Sequence, residues 1–176
     1  MILEYAGKKP EIGSNVFIAP TAVVIGDVRV GDSSSIWFNT VIRGDVAPVI
    51  IGADTNIQDN CTLHGDPGVP LSIGAAVTVG HGAVVHGCTI EDGVLIGMQA
   101  VVMNGAVIRT GSVVAAGAVV MEGRQFGPRQ LVAGMPAQVK RELAESTLEL
   151  IMMAAEDYKA LAQSYASARI LESKKR

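Results

Sequence analysis

A branched aliphatic residue returns at every sixth position along most of the chain, first as Ile12, Ile18, Val24, Val30, Ile36 and Ile42. The register resumes after each interruption, at Ile51, Ile57 and Leu63, at Ile73, Val79 and Val85, and at Ile90, Ile96, Val102, Ile108, Val114 and Val120. Four residues after most of these stands a compact side chain, such as Ala22, Thr40, Cys61, Ala83, Ala100 or Ala118, and glycine often follows directly. Neither a helical period of about 3.6 nor strand alternation of about 2 sustains such a pattern. A parallel β-helix does, with three six-residue faces to a coil and the aliphatic and compact positions pointing into a narrow prism. The hexapeptides predict an all-β solenoid of about six triangular coils, stacked at the strand spacing of roughly 4.8 Å, with no room inside for rings.

After Gly134 the repeat ends, and Leu143 to Leu171 takes a helical period, with Tyr158, Leu161, Ala162 and Tyr165 on one stripe. The expected organisation is a β-helix domain over 1–142 and a C-terminal α-helix over 143–176. The helix is expected to pack on the prism and to cover an open end of strand edges.

Two intervals are too long. Ile42 to Ile51 carries three extra residues and Leu63 to Ile73 four, and insertions in a solenoid bulge on one side. The three histidines, His64, His81 and His86, lie beside these insertions. His64 follows Leu63 and His86 follows Val85, a separation of 22 that becomes 18 without the four-residue bulge, which is one full coil. Two imidazoles stacked on one corner, one strand spacing apart, can share a metal ion. His81 falls two places after Val79, on the preceding face, and does not easily turn back to the pair. Three prisms around a three-fold axis would let His81 of one subunit complete the pair of the next, giving a three-histidine site with an open position. Taken one at a time, each histidine on a glycine-rich turn reads as a solvated surface residue; the three together, with no histidine elsewhere, read as a site.

The same arithmetic stacks Arg43 below His64 and gives Asp59 the place that His81 holds one coil later. An intersubunit pair between Asp59 and Arg43, joined by Asp45, would position the histidines, while ordinary solvated charges remain the alternative. Gln58 is placed to hydrogen-bond a metal-bound water or to be a structural glutamine.

Composition narrows the classes. Apolar residues are 49%, charged residues 18% and aromatics 4%, with 20 glycines, as an aliphatic prism requires. A mean hydropathy of +0.36 invites a membrane reading, but no run approaches the roughly 18 apolar residues of a spanning helix. Net charge is −3, with no basic run before the last three residues, so nucleic acid is not expected as a partner. Cys61 and Cys88 form no CxxC pair, and the first ten residues lack the apolar stretch of a secretion signal, so a cytoplasmic location is the simplest expectation. Cys61 holds an inward position and reads as packing.

These residues resemble the γ-class carbonic anhydrase family. The resemblance runs through V-I-R-G-D (Val41 to Asp45), N-I-Q-D-N-C-T-L-H (Asn56 to His64), V-G-H-G-A-V-V-H-G-C (Val79 to Cys88) and I-G-M-Q-A (Ile96 to Ala100), while A-G-M-P-A (Ala133 to Ala137) is common to hexapeptide-repeat proteins. It implies a left-handed β-helix homotrimer with interfacial metal sites. By position His64, His81 and His86 match the family's ligands, Arg43, Asp45 and Asp59 its intersubunit ion pairs, and Gln58 the residue that orients metal-bound solvent. Tyr158 resembles a helix tyrosine that approaches the site in relatives, although by its own pattern it reads first as a core tyrosine on the apolar stripe. Val46 stands where the archetype has a glutamate, and the short bulge Gly65 to Pro70 holds only Asp66 in place of a longer acidic loop with a proton shuttle.

The resemblance implies reversible hydration of carbon dioxide to bicarbonate by a metal-bound hydroxide, with Zn²⁺ as the ion and Fe²⁺ or Co²⁺ equally suited to the ligands. Thioester hydrolysis or acyl transfer, and a trimeric scaffold held together by metal, are the alternatives.

Overall fold

The computed structural model describes residues 1–167, so Leu171 and the basic end lie outside the described residues. The aliphatic register builds the interior as expected. Ile36, Ile57, Leu63, Val79, Val85, Ile96 and Val114 are all fully buried in one continuous core.

The strands pair in parallel from one turn to the next and line three faces. The first face carries Thr62–His64, Val84–His86, Val101–Val102 and Val119–Val120. The second carries Glu11–Ile12, Leu71–Ile73, Thr89–Ile90, Val107–Ile108 and Gln125–Phe126. Val23–Val30 and Val41–Ile51 bend through the corner and contribute to both. The third face stacks Phe17–Ile18, Ser35–Ile36, Asn56–Ile57, Thr78–Val79, Leu95–Ile96, Val113–Val114 and Gln130–Gly134, and Ala137–Glu142 closes it as an antiparallel strand.

The solenoid thus has about seven turns, one more than the six expected. The register does not stop at Val120: Phe126 and Val132 continue it at six-residue intervals, pairing with Ile108 and Val114. Phe126 is also the exception to the exclusion of rings. It is buried in the last strand of the second face, where no further strand stacks beyond it among the described residues, and the Arg124 guanidinium lies 5.5 Å from its ring centroid.

The helix spans Glu145–Ala166 and lies along the third face, against Phe17–Ile18, Ser35–Ile36, Asn56–Ile57 and Thr78–Val79, rather than over an open end. Its landing site explains the difference. Phe17, Trp37 and Phe38 project outward there and meet Tyr158 and Tyr165, with the Trp37 centroid 5.5 and 5.2 Å from the two tyrosine rings. The buried stripe is Ile151, Ala155 and Ala162, while Leu161 is exposed. Lys159 Nζ reaches Asp54 Oδ1 at 2.7 Å and adds a polar tie to the face. No described helix is long and apolar enough to cross a membrane.

Candidate metal centre

His64 and His86 close adjacent strands of the first face, and their Cα atoms are direct register partners. The imidazoles meet at one corner, with His64 Nδ1 3.0 Å from His86 Nε2. Each ring's other nitrogen is engaged. His64 Nε2 lies 2.9 Å from Asp45 Oδ1, and His86 Nδ1 lies 2.7 Å from Asn104 Oδ1.

Hydrogen-bond roles follow from the partners. Asp45 also accepts from the Arg43 guanidinium, and its carboxyl sits at about 2: burial pushes it up, but hydrogen bonds from Arg43 and His64 outweigh this. Ionised, Asp45 only accepts, so His64 donates from Nε2. Asn104 Nδ2 donates to Asp66 Oδ2 at 2.7 Å, which leaves the Asn104 oxygen facing His86 and makes His86 Nδ1 the donor. Two neutral rings in these tautomers direct the lone pairs of His64 Nδ1 and His86 Nε2 at one another. A proton or a metal ion between them satisfies both. Nitrogens bound to a tetrahedral ion at 2.0–2.1 Å lie roughly 3.3 Å apart, so the 3.0 Å pair needs to open by about 0.3 Å. The donor set fits a divalent metal.

Insertions shape this corner. The extra residues after Gly44 are taken up where the register shifts between Gly26 and Val28, which places Asp45 beside His64. The second insertion folds back through an antiparallel bridge between Asp66 and Val69 and holds Asp66 at the mouth. One side chain from each of His64, Asp66 and His86 offers a ligand atom within 4.8 Å of the others.

His81 is not in that group. It sits at the corner between the third and first faces, where Nδ1 pairs with Asp59 Oδ2 at 2.9 Å within the chain. Gln58 accepts from the His81 N–H at 3.2 Å and donates from Nε2 to Asn56 Oδ1 at 3.1 Å, and Asn56 in turn donates to Thr78 Oγ1. Arg43 pairs within the chain with Asp45, and Asp59 Oδ1 accepts from the Phe38 N–H. Tyr158 is packed edge-on against Trp37, and burial, then the nearby Asp59 charge, raises its pKa. An apolar groove of about 390 Å³ runs from His81 and Gln58 past Leu95, Met98, Val113 and Ala116. Both thiols are buried, which pushes Cys61 up to about 11 and Cys88 to about 12.

Asn104 escaped the sequence reading. Its signal was present: it follows His86 by 18 residues, one uninterrupted coil.

Comparison with known proteins adds four findings. The bacterial transferase hexapeptide family, defined by six repeats, matches residues 9–44 and 87–121. The chain is 53% identical over 156 residues to the "Probable carbonic anhydrase" of Methanocaldococcus jannaschii, covering 89% of this chain and 98% of that one. It is 42% identical over 166 residues to mitochondrial gamma carbonic anhydrase 2 of Arabidopsis thaliana, covering 91% of this chain and 60% of the longer relative. The crystal structure of the BC4754 gene product of Bacillus cereus superposes with a TM-score of 0.93 at 45% identity, over 96% of this chain and 98% of that one.

Proposed function

The chain belongs to the γ-class carbonic anhydrase family, and on that premise we propose that it hydrates carbon dioxide reversibly at a metal site shared between subunits of a homotrimer. His64 and His86 of one chain and His81 of a second copy are the ligands, with Zn²⁺, Fe²⁺ or Co²⁺ as the ion. The observation that carries this reading is the pair of converging lone pairs on His64 and His86, each fixed by a hydrogen bond behind it.

A divalent ion held by three neutral imidazoles keeps its full charge and supplies Lewis acidity, which lowers the pKa of water from 15.7 towards roughly 7. The chain's residues do the positioning. Asp45 holds the His64 tautomer, and Arg43 compensates its charge. Gln58 spends one amide hydrogen on Asn56 and its oxygen on the His81 backbone, which leaves its second amide hydrogen to orient a water. Asp59 orients His81. Tyr158, tethered to Trp37 beside the Asp59 edge, narrows the approach on the His81 side.

The His81–Asp59 pair at the end of an apolar groove favours a second reading, in which a metal-free His81 acts as general base toward a thioester. Metal separates the two. Anaerobically purified protein is assayed for metal content and for stopped-flow CO₂ hydration before and after chelation and reloading. The hydration reading expects about one ion per chain and activity that follows it. Persistent thioester turnover without metal, and no hydration with it, supports the second reading instead.

A further inference from the structure

We propose that Asp66 is a metal ligand from the same chain as His64 and His86, so that one protomer holds a divalent ion through two imidazoles and a carboxylate, with Asn104 aiming two of the three. The inference rests on the reading of His64 and His86 as ligands and extends it to the order in which the site is built.

Three observations carry it. First, His64, Asp66 and His86 are the group of ligand atoms, among the described residues, that one chain brings within 4.8 Å. Ligand atoms around an ion at about 2.1 Å lie roughly 3–3.5 Å apart, so the exposed Asp66 side chain closes at most about 1.5 Å. Second, Asn104 binds both Asp66 Oδ2 and His86 Nδ1, at 2.7 Å each. A carboxylate accepting on one oxygen keeps the other for an ion, and a histidine donating from Nδ1 presents Nε2. Third, the backbone makes room for this bridge. Gly87 has φ +48, and a Cβ there would stand 2.3 Å from Asn104 Oδ1. The turn from Asp66 to Val69, closed by the Val69 N–H on the Asp66 carbonyl at 2.8 Å, fixes the carboxylate at the same mouth.

Two imidazoles and one carboxylate suit Zn²⁺, Co²⁺ and Fe²⁺. A chain so equipped captures metal before assembly. His81 of a second copy then completes the site and, by replacing a charged ligand with a neutral one, gives the ion back its full charge.

The test is equilibrium titration of Co²⁺, followed by its visible absorption against a competing chelator, into wild type, His81→Ala and the double variant His81→Ala/Asp66→Ala. His81→Ala is expected to bind one Co²⁺ per chain, and removing Asp66 in that background to weaken binding by at least about tenfold. Equal affinities for the single and double variants overturn the proposal while leaving the interfacial reading intact. A wild-type chain that binds no Co²⁺ removes the functional reading and this one together. Asp66→Ala alone keeps the test alive should His81→Ala fail to fold: when metal-free chains are refolded at low protomer concentration with Co²⁺, it is expected to slow metal uptake by about tenfold. An unchanged uptake rate counts against the proposal.

Discussion

Gly87→Ala inserts one methyl group between His86 and Asn104, and its cost can be built from the surroundings. An alanine at φ +48 loses about 1 kcal/mol relative to glycine. The new Cβ lies 2.3 Å from Asn104 Oδ1 and 2.9 Å from Val69 Cγ1, so the Asn104 amide must leave. Its departure forfeits the 2.7 Å bond to His86, worth about 1 kcal/mol net. The sum, roughly 2–3 kcal/mol including the Val69 adjustment, is read from urea unfolding of metal-free protein at fixed protomer concentration. Metal affinity should fall by about 10–100-fold, because His86 loses the partner that sets its tautomer. Asn104→Ala should lower affinity as much, at only about 1 kcal/mol of stability, because it breaks the same bond without the backbone cost. In the double variant the affinity losses should not add, since either change already frees His86. Wild-type affinity in Gly87→Ala, or fully additive losses, would refute the reasoning.

Other outcomes are fixed by the same geometry. The folded Asp45 carboxyl, at about 2, lies below its ordinary 3.8, so the stability it contributes is present above 3.8 and is lost as pH falls toward 2. Asp45→Asn should therefore flatten the acid limb of the metal-free unfolding curve across that window, and an unchanged limb would contradict the pairing with Arg43 and His64. Leu63 is fully buried directly before His64, and Leu63→Ala should cost about 2–5 kcal/mol by urea unfolding, whereas a loss below about 1 kcal/mol would mean the prism collapses around the cavity. Because the bulge Gly65 to Pro70 holds Asp66 as its sole acid, proton release should limit turnover. The hydration rate should then rise with buffer concentration, and a fast buffer-independent rate would show that a relay exists.

Much of this was legible in the sequence because a solenoid converts linear spacing into spatial neighbours. The 22-residue gap between His64 and His86, less four for the bulge, became direct Cα register, and the shared hexapeptide place of Asp59 and His81 set them one turn apart, within 2.9 Å of each other. The count of turns fell short because Phe126 holds a position filled elsewhere by Ile, Val or Leu. The helix was legible by its period but not by its landing place, which depends on Phe17, Trp37 and Phe38 projecting from one face. The link from Asp66 to Asn104, 38 residues away, depends on how the inserted loop folds back, and no repeat arithmetic reaches it.

The central claim is that the working site needs His64 and His86 from one chain and His81 from another. Mixing His64→Ala and His81→Ala chains after denaturation and refolding tests it most directly, with CO₂ hydration as the readout and native mass spectrometry to count mixed trimers. Each variant alone should have little activity, and random assortment in a trimer should restore about a quarter of the sites. Mixed trimers that form but recover no activity would contradict the account.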